Sequence, residues 1–277
     1  MQEGKKPAAR QAYTRAAELA PQSLATATAL IRLDLSEGKV TPARARADQI
    51  VAKSPKSAPA LMLAARTYAT SNDFVRAEAL LRQAIDLDPQ RSDAYGMLAN
   101  LYLVQGKLAT SLKHYQDAVK HDPKSVGAQT MVATVLMWLG RRAEAKEAYR
   151  QALAIDPQAA VAANNLAFLY GEDGENMETA VQLAQTAKRL MPDAAAPIDT
   201  LGWVYYNRRM PTYAIAELRD AVAKEPQNAS YQYHLGLAYA NGGEAKLARE
   251  TLDRALEMDP KSSLAADARN ALATLKK

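Results

Sequence analysis

The chain has 277 residues and a formal net charge of +5. It contains no cysteine, which excludes disulfides, thiol nucleophiles and cysteine-ligated metal sites. Its hydrophobic fraction of 48% is sufficient for an ordered core, but no stretch approaches the roughly 20 apolar residues that a membrane span needs.

Prolines recur at a nearly constant interval along the whole chain. They are Pro21, Pro55, Pro89, Pro123, Pro157, Pro192, Pro226 and Pro260. The spacing is 34 residues throughout, except for one step of 35 residues between Pro157 and Pro192. A period of this length is typical of stacked helical hairpins. Because proline disfavours helix at the residue before it, each proline is predicted to follow the second helix of a hairpin.

The prolines divide the chain into three predicted parts. Residues 1–21 are predicted to form half a hairpin, consisting of the second helix only. Residues 24–260 are predicted to form seven full repeats, and residues 261–277 a polar capping helix of the kind that ends a solenoid. Because Gly4 falls where a full repeat has its turn, we expect that a first helix is missing and that the chain is a fragment of a longer polypeptide.

Three departures from the repeat are visible in chain order. The first full repeat is predicted to be the loosest, because Ile31, Asp34 and Ala47 occupy positions where small, aromatic and bulky residues are expected. The interval between Pro157 and Pro192, the fifth, carries one extra residue, which is predicted to lie in the turn at 171–176. Pro211 falls in the first turn of a second helix, where proline is tolerated.

The core of each hairpin is predicted from residues that recur at fixed positions of the repeat. With the proline numbered as position 32, positions 20 and 27 are each alanine in seven of eight repeats, and positions 7 and 11 are usually leucine and tyrosine. Positions 4, 7, 8 and 11 fall on one side of the first helix, since each residue advances about 100°. Small residues at positions 8 and 20 let the two helices approach closely, and larger side chains fill the space beside them. Four glycines lie between the helices, where a tight turn needs positive φ: Gly38, Gly106, Gly140 and Gly243.

This arrangement resembles the tetratricopeptide repeat, whose pattern is W-x2-L-G-x2-Y, then A-x3-F, then P. One copy reads Tyr95-x2-Leu98-Ala99-x2-Tyr102, Ser111-x3-Tyr115 and Pro123. Another reads Ile198-x2-Leu201-Gly202-x2-Tyr205, Ala214-x3-Leu218 and Pro226. The resemblance covers nearly the whole chain and implies an all-α fold, a right-handed superhelical solenoid of antiparallel helix hairpins. It also implies a binding scaffold with no enzymatic activity.

Catalytic and metal-binding patterns find little support in the sequence. His114, His121 and His234 do not have a metal-binding spacing, and the chain has no glycine-rich phosphate loop and no nucleophile elbow. No cofactor is therefore predicted. Positive charge is concentrated in residues 1–138, which hold 18 basic and 12 acidic residues. This excess could attract an anionic partner, but nucleic-acid binders concentrate charge more strongly, so no nucleic-acid partner is predicted.

The candidate binding surface is the side of each first helix that lies opposite position 8. The resemblance implies that this side lines a concave groove for an extended peptide or a helix. The candidate residues are Arg32, Arg66, Met97, Asn100, Met131, Thr134, Met137, Trp138, Asn164, Asn165, Phe168, Asp199, Trp203, Tyr206, Tyr233 and His234. Aromatic, methionine, asparagine and arginine side chains are typical of peptide-binding surfaces, and Arg32 and Arg66 are candidate anion contacts. The alternative is that Phe168 and Trp203 pack between neighbouring repeats.

The predicted function is recognition of another protein or a peptide through this surface, centred on repeats 92–241. Members of the family that bind chaperones grip a terminal carboxylate with a set of Lys, Asn and Arg residues. Asn164 and Asn165 fit that set, but the basic partners are missing at the matching positions, so this mode is not predicted. The runs 164–170 and 199–206 resemble bacterial envelope members of the family, some of which serve exopolysaccharide export.

Two alternative functions remain open from the sequence. The first is self-association through the unfinished hairpin near the N-terminus, where Tyr13, Ala16 and Leu19 form an apolar edge. The second is a non-catalytic arm of a bacterial export or polysaccharide-secretion protein. The composition fits a bacterial cytoplasm or periplasm, with the periplasm slightly favoured.

Overall fold

The computed structural model describes residues 6–275, which form sixteen α-helices and no strand. The predicted turn at Gly4 and the last two residues of the predicted cap lie outside the described residues. By its internal contacts the chain divides into two compact units, Met1–Leu139 and Gly140–Lys277. No helix within residues 6–275 is both long and apolar enough to cross a bilayer. The predicted all-α class is confirmed.

The first unit is a stack of antiparallel helices. In chain order they are α1 (Lys6–Leu19), α2 (Leu24–Ser36), α3 (Val40–Lys53), α4 (Ala58–Thr70), α5 (Phe74–Leu87), α6 (Ser92–Leu103), α7 (Leu108–His121) and α8 (Val126–Trp138). Helices α2 and α3, α4 and α5, and α6 and α7 form hairpins, and each second helix also packs against the next first helix. The first helices α2, α4 and α6 contact one another in sequence order. Contacts therefore join near neighbours in the chain, as expected for a repeat fold.

The second unit follows the same plan. Its helices are α9 (Arg142–Ile155), α10 (Ala160–Asp173), α11 (Met177–Leu190), α12 (Ala195–Asn207), α13 (Pro211–Lys224), α14 (Ala229–Asn241), α15 (Ala245–Met258) and α16 (Ala265–Thr274). Hairpins form from α10 and α11, α12 and α13, and α14 and α15, and the first helices α10, α12, α14 and α16 pack in succession.

The helices end close to the positions that the recurring prolines and the turn glycines predict. The second helices end two residues before the recurring prolines, for example α5 at Leu87 and α9 at Ile155. The four glycines predicted in the turns have φ between +71° and +80°. The side chain of Ser57, two residues after Pro55, accepts a hydrogen bond from the backbone N–H of Ala60 and caps α4. Pro211 opens α13, as predicted.

The extra residue of the fifth interval lengthens a helix rather than a loop. Helix α10 has 14 residues, whereas the corresponding helices α8 and α12 have 13. It continues through Asp173 and ends at Gly174, which has φ +67°. The segment 171–176 is thus half helix and half turn, and the three-residue turn typical of the other hairpins is retained.

Small residues bring the two helices of a hairpin into close contact. The alanines at position 20, such as Ala43 and Ala214, are completely buried. A Cβ atom added at Gly202 would lie 2.5 Å from Cγ of Leu218, and one added at Gly236 would lie 2.6 Å from Cγ of Leu252. At position 8 of these two repeats the neighbouring helix therefore leaves room for glycine only.

The tyrosines at position 11 form polar links between neighbouring hairpins, which the sequence pattern did not predict. The Tyr68 hydroxyl donates to Oδ2 of Asp48 at 2.8 Å. The Tyr102 hydroxyl donates to Oε1 of Glu78 at 2.8 Å and accepts from Nη2 of Arg82 at 3.0 Å. Each tyrosine reaches the second helix of the preceding repeat, so its ring fills space while its hydroxyl joins two repeats.

Asp34 takes the place of this tyrosine in the first full repeat. Only 1% of its side chain is exposed, and it accepts hydrogen bonds from Nη1 of Arg10 at 2.7 Å and from Nε of Arg46 at 2.9 Å. A hydrogen bond with Lys39 lowers the pKa of the Glu37 carboxyl below its usual value. Arg10, which lies 3.0 Å from that carboxyl, lowers it further. These ion pairs attach α2 to α1 and to α3. That this repeat is the loosest stays a prediction.

Candidate binding surface

The first unit contains a large open cavity on the predicted side of its first helices. This central cavity has a volume of about 790 Å³ and lies between α4, α6 and α8, with side chains of α5 and α7 at its base. It is lined by four of the candidate residues: Arg66, Met97, Asn100 and Met131. Its size is within the range of pockets that hold small ligands or peptide side chains.

Two helical glycines line the central cavity without any structural requirement for glycine. A Cβ atom added at Gly96 or Gly127 would meet no atom within 4 Å, and neither residue has positive φ. By contrast, Gly202 faces a neighbouring side chain, and Gly106 has φ +71°. Glycine inside a helix destabilises it by roughly 0.5–1 kcal/mol relative to alanine, so Gly96 leaves space open at a cost to its own helix. Neither glycine is among the candidate residues, although a helical glycine away from position 8 is a signal that could have found both.

A second cavity adjoins α2 and α4. This basic cavity has a volume of about 510 Å³ and is lined by both candidate anion contacts, Arg32 and Arg66. The remaining lining residues are Thr28, Ile31, Leu35, Ser36, Leu63, Thr67 and Thr70, none of which is acidic. Arg66 and Thr70 also line the central cavity, so the two cavities share a wall formed by α4.

The candidate residues of the first unit are accessible. Arg32, Arg66 and Asn100 are exposed, and the methionines at 97, 131 and 137 and Thr134 are half-buried. Trp138 is 51% exposed. Val104, which occupies the same repeat position as Trp138 and was not predicted, is 59% exposed and lines the central cavity. An accessible apolar and cationic surface is thus present on this unit.

Four candidate residues of the second unit require a correction, because the structure buries them. They are Asp199, Trp203, Tyr233 and His234. Nδ1 of His234 lies 2.9 Å from Oδ1 of Asp199, and both side chains are more than nine-tenths buried. The Trp203 ring stacks on His234 with centroids 4.2 Å apart. For these residues the alternative of packing between repeats describes the structure.

The physical reason is that large aromatic side chains on successive first helices cover one another. Trp203 on α12 stacks on Tyr206 of the same helix at 4.8 Å, and its Nε1 donates to the carboxylate of Glu172 on α10. His234 on α14 also stacks on the indole ring. Burial raises the pKa of the neighbouring Tyr233 to about 12. These contacts join α10, α12 and α14 and leave little of the cluster for a ligand.

The other candidates of the second unit are half-buried. Nδ2 of Asn165 donates to the Tyr149 hydroxyl at 2.9 Å, and Nδ2 of Asn164 donates to Oδ1 of Asn165 at 3.2 Å. Both side-chain amide nitrogens are therefore engaged within the protein, whereas the buried Oδ1 of Asn164 accepts no hydrogen bond from the described residues. Phe168 and Tyr206 each keep part of their surface accessible. No group of three or more histidine or acidic side chains that could hold a metal ion occurs among residues 6–275.

Comparisons with known proteins agree with the helical repeat pattern. Two tetratricopeptide repeat family models match, one at residues 28–92 and 200–263 and the other at 68–135 and 105–164. No curated protein sequence matches the chain.

Solved structures resemble the chain at low sequence identity and therefore show the fold alone. The APC/C hetero-tetramer Cut9-Hcn1 has a TM-score of 0.71 and 20% identity, with 95% of this chain and 52% of that chain covered. The type IV pilus biogenesis factor PilW has a TM-score of 0.63 and 17% identity, covering 76% and 98%. A tetratricopeptide repeat protein from Parabacteroides merdae has a TM-score of 0.61 and 14% identity, covering 95% and 100%. This chain thus spans about half the length of the first of these proteins and nearly the whole of the other two.

Proposed function

This chain belongs to the tetratricopeptide repeat family, whose members act as protein-interaction scaffolds, and we propose that it binds a segment of another protein in its central cavity. It performs no catalysis of its own in this proposal. We assign the site to the first unit, because the aromatic side chains of the second unit are buried by packing against one another.

The observation that carries the proposal is the pair of glycines at 96 and 127. Both line the same cavity on adjacent repeats, and neither is required by packing or by backbone conformation. Absence of a side chain lets another backbone approach a helix closely. The neighbouring Met97 and Met131 supply adaptable apolar contacts, and Asn100 can both donate to and accept from a peptide main chain.

The test is a variant that fills the cavity. We expect Gly96→Phe to weaken binding of a segment by more than about tenfold, because the ring would occupy the space proposed for the ligand. Val75→Phe is the matched control, because it places the same ring at an exposed side chain of α5 that lines neither cavity. A random-sequence peptide display library, selected on the unaltered protein, supplies the probes, and affinities are measured by fluorescence anisotropy.

Circular dichroism of each variant serves as the control for folding. Peptides that bind the Gly96→Phe protein as tightly as the unaltered protein would contradict the proposal. Failure of the library to yield any peptide that competes for the cavity would also contradict it.

Self-association is a second candidate, supported by one exposed residue. Tyr13 on α1 is 40% exposed, whereas the residues at the same repeat position of full repeats, such as Leu81 and Tyr149, are buried. In a second copy, helix α16 would be a poor partner for this edge of α1. It carries Arg269 and Asn270, both exposed, at the positions where full repeats have leucine and a small residue. Sedimentation velocity over a hundredfold range of concentration tests this candidate, and an unchanged sedimentation coefficient would dismiss it.

A further inference from the structure

We propose that the bound segment is bipartite, with acidic side chains in the basic cavity and apolar side chains in the central cavity. This inference rests on the proposed function and adds the chemistry and direction of the ligand. It follows from differences between the two cavities in charge, hydrogen-bonding capacity and exposed apolar surface.

The basic cavity presents uncompensated positive charge. Arg32 and Arg66 occupy the same position in consecutive repeats and line one cavity. Within residues 6–275, neither guanidinium lies within 4.0 Å of a carboxylate, and both side chains are exposed. Guanidinium groups bind carboxylates through paired N–H donors. Two of them in one cavity therefore favour an acidic ligand.

The hydroxyl groups of the basic cavity favour a peptide over a phosphate. Each hydroxyl donates its proton to a carbonyl oxygen of its own helix: Thr28 to Leu24, Ser36 to Leu33, Thr67 to Leu63 and Thr70 to Arg66. Thr67 is buried, and what remains on the hydroxyl oxygens of Thr28, Ser36 and Thr70 is capacity to accept hydrogen bonds. An acidic peptide brings N–H donors as well as carboxylates, whereas a phosphate dianion brings acceptors only. The basic cavity therefore offers positively charged donors on Arg32 and Arg66 and neutral acceptors on its hydroxyl groups. This combination matches a peptide that carries Asp or Glu.

The central cavity shares Arg66 with the basic cavity but differs from it in having acidic residues in its lining. Two acidic residues line it: Asp93 lies 3.6 Å from Arg91, and Asp122 accepts the backbone N–H of Lys124. The position held by Arg32 and Arg66 is Asn100 in the next repeat. The walls of the central cavity carry the exposed Val104 and two methionines, which suit apolar side chains of a ligand. A ligand with its acidic end here would face like charges, so the acidic end belongs at α2 and α4.

Selected peptides provide the first test of this inference. Peptides that compete for the central cavity are expected to carry two or more Asp or Glu residues on one fixed side of an apolar stretch. Their affinity is expected to fall as salt rises, because contacts between exposed charges are screened.

The second test removes the two guanidinium groups. The double variant Arg32→Gln with Arg66→Gln is expected to bind such a peptide about fivefold more weakly, with a flatter salt dependence. Arg15→Gln with Lys120→Gln is the matched control, because it changes net charge equally at exposed side chains that line neither cavity. In the reverse experiment, Arg32→Glu with Arg66→Glu is expected to prefer a peptide in which Lys replaces the acidic residues.

Three outcomes would overturn the inference. The first is selection of peptides whose affinity falls with Gly96→Phe but which lack acidic residues or bind the arginine variants as tightly as the unaltered protein. That outcome would leave the proposed function standing. The second is equal loss of affinity in the matched control. The third is tighter, arginine-dependent binding of a single-stranded RNA oligonucleotide than of any selected peptide, which would replace the peptide by a nucleic acid. Loss of sensitivity to Gly96→Phe would instead remove the proposed function and this inference together.

Discussion

Gly202→Leu is expected to destabilise the second unit by about 1–3 kcal/mol through overpacking. The first side-chain carbon alone would lie 2.5 Å from Cγ and 2.9 Å from Cδ2 of Leu218, and 3.2 Å from Cβ of Glu217. Leu218 is completely buried, so it has no free space into which to move. The substitution therefore requires that α12 and α13 separate, which exposes the alanines that pack beside the glycine.

The matched control is Gly96→Leu, the same substitution at a helical glycine whose added Cβ would meet no atom within 4 Å. It is expected to leave stability unchanged or to raise it by about 0.5–1 kcal/mol, since leucine favours helix more than glycine does. The two tryptophans report on separate units, Trp138 on the first and Trp203 on the second. Urea unfolding followed by circular dichroism and by tryptophan fluorescence measures both effects. Equal stability of the two variants would mean that position 8 has been placed on the wrong helix face.

The hairpin core could be predicted from the sequence because the same physical requirement recurs in each repeat. Ala43, Ala77 and Ala214 lie at one position and are all completely buried, since the helices approach closely at that point every time. One such residue would be uninformative, but repetition at a fixed spacing identifies both the helices and the faces that meet. The turn glycines were predictable for the same reason.

The binding surface was less predictable, because exposure there depends on the sizes of neighbouring side chains. Trp203 was placed on an open face, yet His234 and Tyr206 cover its ring. Asn100 stands at the same position of its repeat and stays exposed, and Gly96 on the same helix leaves the space beside it empty. The position of a residue in the repeat predicts the direction of its side chain. The solvent exposure of that side chain depends on the residues of adjacent repeats.

The buried pair of Asp199 and His234 supports a second prediction of large effect. His234→Leu is expected to destabilise the second unit by about 3–5 kcal/mol, because it leaves a carboxylate with no partner in the interior. The side chains of Asp199 and His234 are only 7% and 8% exposed, so water cannot readily replace the lost contact. Nδ1 of His234 lies 2.9 Å and 3.0 Å from the two carboxylate oxygens, and its ring also stacks on Trp203.

A double-mutant cycle separates the contact between Asp199 and His234 from the stacking contact between His234 and Trp203. Asp199→Asn keeps the shape of the side chain and removes its charge. In that background His234→Leu strands a neutral amide instead of a charge, and it is expected to cost at least about 1 kcal/mol less than it does alone. The readout is urea unfolding followed by Trp203 fluorescence, since the indole touches the substituted ring. If His234→Leu costs the same in both backgrounds, the histidine stabilises this unit by ring packing alone, and the aromatic cluster would hold α10, α12 and α14 together without help from the buried charge.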